Sequence, residues 1–413
     1  MGRVPKVLHI TGLHKIGGAE QLFRFYLRQS SRNGVLEHHV HALRGRIHPY
    51  LRDDVLAAAS SVSFKRHWKG IRVPRCLRGR NQMSAFRRVS PDVIVIWNRF
   101  GRQALIDAAS ASISAPIVHF ERGQAWYEQD EENAREYLRR VDCVLCNAEA
   151  ARRFLELRWG YRGEARVRKN ALRPDCRPKR RDPKRIDGSS FVKLGVASRM
   201  VPVKGLCLAL HAARKLETSG LRFELHFAGA ASRQEEKRLR AVIGQLGLGE
   251  NVVMHGCLSD MGRFYEGIDV FLCPSIREPL GNVCVEAGAY GCVVVGSRVD
   301  GIPEVVTDGV TGYCLPPTLP AAEYPKYGGS VNGLPEFVYD PSSDELMEPK
   351  LVDPDMIADA VMELAGAPLR FEQMSEAAMK RISAEFDFTR YADDLDRIFA
   401  GVAPESETRT VCR

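Results

Sequence analysis

Two patterns alternate along this chain. Short apolar runs rich in β-branched residues recur at 6–10, 38–43, 93–97, 116–120 and 143–146. Between most of them the apolar positions fall three and four apart, as over 19–29, where Leu22, Phe23, Tyr26 and Leu27 share one helical face. A short continuous apolar run suits a strand covered on both sides, and its alternation with amphipathic helices predicts a parallel sheet sandwiched by helices. The pattern stops at 173–190, which is Pro- and charge-rich, and resumes at 191–196, 223–228, 251–255, 269–273 and 292–297. The expectation is an α/β chain of two doubly wound domains, residues 1–172 and 191–384, joined by a linker at 173–190 and facing across a cleft. Ligands of such sheets sit at the carboxyl ends of the strands. The Pro-rich stretch 316–354, with Gly328 and Gly329, reads as a long loop insertion, a lid or an ornament. Helices are expected over 355–365, 370–385 and 389–399, the last with a tail, 385–413, returning to the first domain.

Composition keeps the chain in the ordinary globular class, with 45% hydrophobic and 27% charged residues among 413. No apolar run approaches the roughly 18 residues of a spanning helix, and the N-terminus lacks the apolar stretch of a secretory signal. A cytoplasmic chain is expected. Cys143 and Cys146 lie three apart on one expected strand and face opposite ways, so they read as buried thiols rather than metal ligands. Charge adds more. Residues 61–90 hold nine Lys or Arg and no acid, and 161–185 hold eleven bases against three acids. Such a face attracts polyanions or is simply solvated.

The chemistry concentrates in 270–291. A buried strand, 270–273, empties into a loop, and Gly281 opens a helix. Backbone N–H groups at a helix start, with the dipole behind them, suit a diphosphate. Glu278 precedes that helix and Glu286 lies about one and a half turns inside it. Carboxylates beside a phosphate cradle suit neutral hydroxyls, because like charges repel. Taken alone, the two acids read better as a cap and a helix-face charge.

The segment as a whole changes that reading. Glu278, seven residues, Glu286, followed by the stretch with Glu304, Gly309 and Gly312, resembles the donor-binding domain of retaining glycosyltransferase family 4. That family includes sucrose synthase-like, mannosyl- and lipopolysaccharide-core enzymes. Upstream, Arg199 and then Lys204-Gly205 resemble its strand-end Arg and Lys-Gly, and Gly229 and Gly256 its next two strand ends. The likeness covers about 191–315. It implies a GT-B fold of two Rossmann-like domains. It implies that Arg199 and Lys204 pair with the donor diphosphate, that Glu278 holds the sugar hydroxyls, and that Leu280, Gly281 and Asn282 offer N–H groups to phosphate. Glu286 would hold the ribose, and Gly256 and Cys257 would meet the base. Retention of configuration is implied, with no cofactor and no metal; the donor is a substrate. Asp353 and Asp355 form a lone acidic pair that reads as a helix cap.

The first half matches less closely. Gly17-Gly18-Ala19-Glu20 resembles the family's first loop, and Asn170 the residue that ends its first domain. Many members carry a functional His before the Gly that corresponds to Gly123; here Arg122 stands there, and His119 lies three residues earlier. Arg122 is a candidate phosphate ligand. His119 reads either as a core histidine or as a catalytic group. The partners implied are a nucleotide-sugar donor and a glycan or lipid-linked glycan acceptor, such as lipopolysaccharide core. Basic residues 65–88, beside Phe64, His67 and Trp68, suit peripheral docking on the anionic inner face of the plasma membrane. No nucleic-acid signature is present. A sugar-nucleotide 2-epimerase of the same fold and a non-catalytic sugar-nucleotide binder are the competing readings. The Lys204-Gly205 loop favours the transferase over the first, and intact Arg199, Lys204, Glu278 and Glu286 over the second.

Overall fold

A computed structural model describes residues 3–127, 129–178, 182–186 and 191–403. The chain forms two compact units, Met1–Arg173 with Phe388–Arg413, and Pro174–Asp387.

Unit 1 carries strands β1 (Lys6–Thr11), β2 (Glu37–Ala42), β3 (Ser61–Phe64), β4 (His67–Trp68), β5 (Ile71–Arg72), β6 (Val93–Trp97), β7 (Ile117–Glu121), β8 (Cys143–Cys146) and β9 (Glu164–Val167). Its helices are α1 (Gly18–Asn33), α2 (Pro49–Ala58), α3 (Arg78–Val89), α4 (Gln103–Ser110), α5 (Glu131–Arg139) and α6 (Glu149–Trp159). Unit 2 carries β10 (Val192–Ala197), β11 (Phe223–Ala228), β12 (Val252–Gly256), β13 (Val270–Cys273), β14 (Val293–Ser297) and β15 (Gly312–Leu315). Four short strands follow: β16 (Pro317–Pro320), β17 (Val338–Asp340), β18 (Glu345–Met347) and β19 (Lys350–Val352). The helices of unit 2 are α7 (Leu206–Thr218), α8 (Arg233–Leu246), α9 (Met261–Glu266), α10 (Asn282–Ala289), α11 (Ile302–Val305), α12 (Pro354–Gly366) and α13 (Pro368–Glu385). The last helix, α14 (Phe388–Val402), belongs to unit 1.

Both large sheets are doubly wound. Unit 2 orders its strands β12-β11-β10-β13-β14-β15, all parallel, so the direction of winding reverses between β10 and β13. Unit 1 orders them β5-β4-β3-β2-β1-β6-β7-β8-β9, with the reversal between β1 and β6 and an antiparallel ribbon, β4–β5, at one edge. The central strands β6 and β13 are buried at every residue, as strands covered on both faces must be. Cys143 and Cys146 are buried free thiols on β8. Asp353 accepts from the Asp355 N–H at 2.9 Å and so caps α12. No described helix is long and apolar enough to cross a membrane.

A buried polar chain anchors α14. The Trp97 indole N–H can only donate, and it lies 3.0 Å from His9 Nδ1. That fixes the proton of His9 on Nε2, which faces His38 Nδ1 at 3.0 Å. His38 therefore carries its own proton on Nε2, 2.8 Å from Ser30 Oγ. Ser30 passes its hydroxyl hydrogen to Asp396 of α14, which also accepts from Tyr26 at 3.0 Å and Asn33 at 3.1 Å. Each donor thus meets an acceptor, which a buried network requires. Arg168 adds an ion pair to Asp394 at 2.7 Å.

Two sequence expectations change. The linker drawn at 173–190 is in part built into unit 2: Ile186 joins its core, and Lys184 N–H donates to Ser375 Oγ at 2.8 Å. Residues 179–181 and 187–190 of that stretch, and the tail beyond 403, lie outside the described residues. The stretch 316–354 is not a bare loop. It folds as the antiparallel pairs β16–β19 and β17–β18 around a 3₁₀ helix, Ala321–Tyr327, with Tyr324 in the core of unit 2.

Candidate functional site

The reversal point of unit 2 brings together the loops after β10 and β13. Gly205 is the joint. Its φ is +66°, and a Cβ there would fall 1.8 Å from the Pro274 carbonyl oxygen, so a side chain is excluded by both strain and contact. The Ile276 N–H donates to Val203 O at 2.9 Å across the same seam. These contacts set Lys204 beside Glu278, and Lys204 Nζ donates to Glu278 Oε2. Both side chains are mostly covered, 16% and 12% exposed, so the pair sits in a recess rather than on open surface. Arg199, on the same loop as Lys204, is exposed.

Behind Glu278, α10 starts at Asn282 after Gly281, whose φ is +94°, and no side chain caps it. Leu280 and Gly281 are buried and Asn282 half-buried, so this stretch presents backbone. Glu286 is buried on α10, with Oε2 accepting from the Tyr265 hydroxyl at 3.0 Å. Burial, together with Glu286, holds the Tyr265 hydroxyl well above its ordinary pKa, so it stays a donor and fixes one carboxylate oxygen. The ends of β11 and β12 are stitched by Gly229 N–H to Gly256 O at 2.7 Å. A Cβ at Gly229, φ +138°, would meet Ser198 O at 1.8 Å, whereas Gly256 has open space beside it and Cys257 is exposed.

Sequence reasoning missed Asp300. It is fully buried at φ +47°. Its Oδ2 accepts from the Glu278 N–H at 2.9 Å, and its Oδ1 from the Tyr339 N–H at 2.8 Å. Asp300 N–H returns to Tyr339 O at 2.9 Å, and Gly301 N–H to Glu278 O at 3.1 Å. One carboxylate therefore clamps the 316–354 excursion, through β17, to the backbone of Glu278. The only sequence signal was an Asp before Gly at a strand-to-helix loop, where positive φ is tolerated.

In unit 1, the Gly17-Gly18 turn, Arg122 and Asn170 come together. Arg122 Nη1 donates to Ala19 O at 3.1 Å and Nη2 to Asn170 Oδ1 at 3.3 Å, and its guanidinium lies 5.4 Å from the Phe120 ring centre. Desolvation lowers the Arg122 pKa from its high ordinary value, with Tyr391 and Glu20 opposing. The Gly17 φ of −158° is open to any residue, so what Gly17 and Gly18 contribute is uncovered backbone, not a special conformation.

His119 leaves the catalytic candidates. It is fully buried on β7. Tyr137 OH meets Nδ1 at 3.0 Å, and Nε2 meets Glu121 Oε2 at 3.0 Å, so both ring nitrogens are used. Glu121 Oε1 in turn accepts from the N–H groups of Gly123, at 2.5 Å, Gln124, and Ala125, at 3.1 Å. Burial works against the Glu121 carboxylate, but the bonds from His119 and the backbone overcome it and hold its pKa below the ordinary range. Tyr137, His119 and Glu121 brace the loop that carries Arg122. Among the described residues no cluster of three or more His, Cys, Asp or Glu is placed to hold a metal ion.

Residues 179–324 match the family described as "Glycosyl transferases group 1". The chain is 26% identical over 309 residues to the lipopolysaccharide core biosynthesis glycosyltransferase LpsE of Rhizobium meliloti, covering 74% of this chain and 83% of that protein. It is 36% identical over 127 residues, 29% of this chain and 33% of the other, to the lipopolysaccharide 1,2-N-acetylglucosaminetransferase of Salmonella typhimurium. Among solved structures, Anabaena HepE in complex with UDP and glucose superposes with a TM-score of 0.72 at 15% identity, over 96% of this chain and 100% of that one. A glycosyltransferase from Rickettsia africae gives 0.74 at 14% identity, over 97% and 99%. The fold is therefore the expected GT-B α/β fold of Rossmann-like units, and the family match falls almost wholly within unit 2.

Proposed function

We propose that this chain is a retaining, metal-independent family 4 glycosyltransferase that moves a sugar from a nucleotide-sugar donor to a glycan or lipid-linked glycan acceptor. The observation that carries the reading is the mostly covered Lys204–Glu278 pair at the reversal point of unit 2, in front of a helix start. An incoming diphosphate draws Lys204 away from Glu278, with Arg199 beside it. The freed carboxylate then accepts from the sugar hydroxyls, and Glu286, oriented by Tyr265, from the ribose. As the bond to the sugar breaks, negative charge grows on the departing diphosphate, where Lys204, Arg199 and the backbone of 280–282 stabilise it. Preorganised groups of this kind are each worth ~3 kcal/mol of barrier. The lipopolysaccharide-core relatives support a glycan acceptor, and UDP and glucose in HepE make UDP-glucose the first donor to try.

A membrane face is part of the proposal. The β4–β5 ribbon exposes Trp68 by 52% and Ile71 by 70%, flanked by Lys69 and Arg72, which suits shallow docking on the anionic inner face of a bilayer.

The test is a panel of nucleotide sugars with EDTA present. One donor should raise the melting temperature and release nucleoside diphosphate slowly without acceptor; the anomer transferred then reports retention. A chain that binds a donor but never turns it over is the silent binder. One that converts it to its 2-epimer is the epimerase. Either result overturns the reading.

A further inference from the structure

The reversal point of unit 1 has its own chemistry. Strands β3, β2, β1 and β6 are neighbours and parallel, so their carboxyl ends form one edge. Each end carries cations: His14 and Lys15 after β1, Arg44 and Arg46 after β2, Lys65 and Arg66 after β3, Arg99 and Arg102 after β6. The Arg99 guanidinium lies over Gly12, the residue after β1; a Cβ there would fall 1.9 Å from its Nη2.

Several arginines elsewhere in unit 1 have carboxylate partners, as in Arg24–Asp54, Arg140–Asp107, Arg152–Glu149 and Arg168–Asp394. Among the described residues no ion pair engages Arg44, Arg46, Lys65, Arg66, Arg99 or Arg102. One carboxylate, Glu20 in the first turn of α1, faces Arg99. The cations feel one another. After desolvation, Arg44, Arg99, Lys15 and Arg46 all depress the His14 pKa, and Arg66, Arg78 and Arg102 depress that of Lys65. Like charges gathered at the ligand end of a doubly wound sheet, with Glu20 as the one facing carboxylate, repel until an anion arrives.

We propose that this edge of unit 1 recognises phosphomonoester groups on the acceptor, so that the sugar is transferred to a multiply phosphorylated glycan. The assignment rests on the transferase reading for the word acceptor, but the phosphate site stands on the cluster alone. Phosphate fits better than carboxylate because each group brings close to two charges and three acceptor oxygens to converging guanidinium forks.

The experiment measures binding of inositol hexakisphosphate by the full chain at physiological salt, with myo-inositol as the uncharged control. Wild type should bind the phosphorylated ring and not the bare one. Arg44→Gln with Arg99→Gln should weaken binding about twentyfold, at roughly fivefold per lost cation. Arg44→Gln with Arg46→Gln, both exposed, repeats the test without touching packed residues. Arg87→Gln with Arg88→Gln, at the end of α3 that leads to the opposite edge of the sheet, removes equal charge and should leave binding unchanged. A second arm uses vesicles containing phosphatidylglycerol. Wild type that binds vesicles but not the soluble phosphate, or equal loss in the α3 variant, overturns the proposal. Absence of donor turnover strikes only the transferase reading, since the probe needs no donor.

Discussion

Acid should loosen unit 1 through its buried histidines, and His38 allows the effect to be sized. Burial first, and then His39, pushes His38 from its ordinary 6.5 down to about 4. The hydrogen-bond chain explains why. Nδ1 of His38 accepts from His9 and Nε2 donates to Ser30, so a second proton on the ring would face the His9 N–H and have no acceptor. Between pH 6.5 and 4 the unfolded chain therefore binds a proton that the folded chain refuses, and stability falls as pH falls. The full effect is ~3.4 kcal/mol, at ~1.4 kcal/mol per unit, of which about 2 kcal/mol is lost between pH 7 and pH 5. His41, pushed to about 3 by burial and Lys65, acts in the same sense, as does His9. Asp396, raised by burial, acts oppositely at the acid end. The clean quantity is the difference between wild type and His38→Gln. All four tryptophans, Trp68, Trp97, Trp126 and Trp159, lie in unit 1, so their fluorescence in urea reports that unit alone. His38→Gln should be less stable at pH 7, because no amide matches both ring nitrogens. Its further loss on going to pH 5 should be smaller than that of wild type by about 2 kcal/mol. Equal losses in the two proteins would show that His38 is not held neutral, and the proton order along the chain from Trp97 to Asp396 would be wrong.

Two further outcomes test unit 2. Lys204→Ala should lower kcat by ~100-fold or more, because it removes charge facing the leaving group; an unchanged kcat in a donor-turnover assay would take Lys204 out of that role. Asp300→Ala strands two backbone N–H groups, at ~1–3 kcal/mol each, and places Ala at a positive φ. Amide exchange at Glu278 and Tyr339 should speed up together, and Asp300→Asn, which keeps one acceptor, should restore one of the two. Faster exchange at Tyr339 alone would mean that the excursion is not clamped to the donor loop.

Sequence located β1, β2, β6, β7, β8, β10, β11, β12, β13 and β14, most plainly where a short apolar run is buried at every residue, as in β6 and β13. Those that escaped notice in unit 1 are short and lie toward the sheet edges. Ser61–Phe64 and Glu164–Val167 carry polar residues that face water or a neighbouring side chain, as Ser61 and Ser63 face His39 and His41 at 2.8 and 2.9 Å. The excursion was misread for a related reason. Strands of three or four residues are too short to show a period, and proline content dominated what remained. Glu278 and Lys204 were legible only through family likeness, because 74 positions separate them and their contact depends on Gly205. The chain from Trp97 to Asp396 was not legible at all: Ser30 and Asp396 lie 366 positions apart. His119 could have been demoted earlier, since an alternate position within an apolar strand already points into a core.

The two reversal points are built alike and charged differently, and the difference is informative. In unit 2 the cation after the first strand is matched by a carboxylate after the fourth, and on the proposed reading this pair would select a ligand that offers phosphate and hydroxyl together. Either group alone would leave Lys204 or Glu278 without a partner in a mostly covered recess, which costs more than an exposed mismatch. In unit 1 the corresponding edge holds Arg99 over Gly12 with Arg44, Lys65 and Arg102 nearby and Glu20 as the facing acid. Such an edge gains most from the most highly charged ligand and should discriminate little among sugars. Its affinity should therefore fall steeply with salt, because exposed charges are screened within about 8 Å at physiological ionic strength, while donor binding in unit 2, resting on a covered pair and on hydroxyls, should respond weakly. Donor selection would then be steric and hydrogen-bonded, and acceptor selection largely electrostatic.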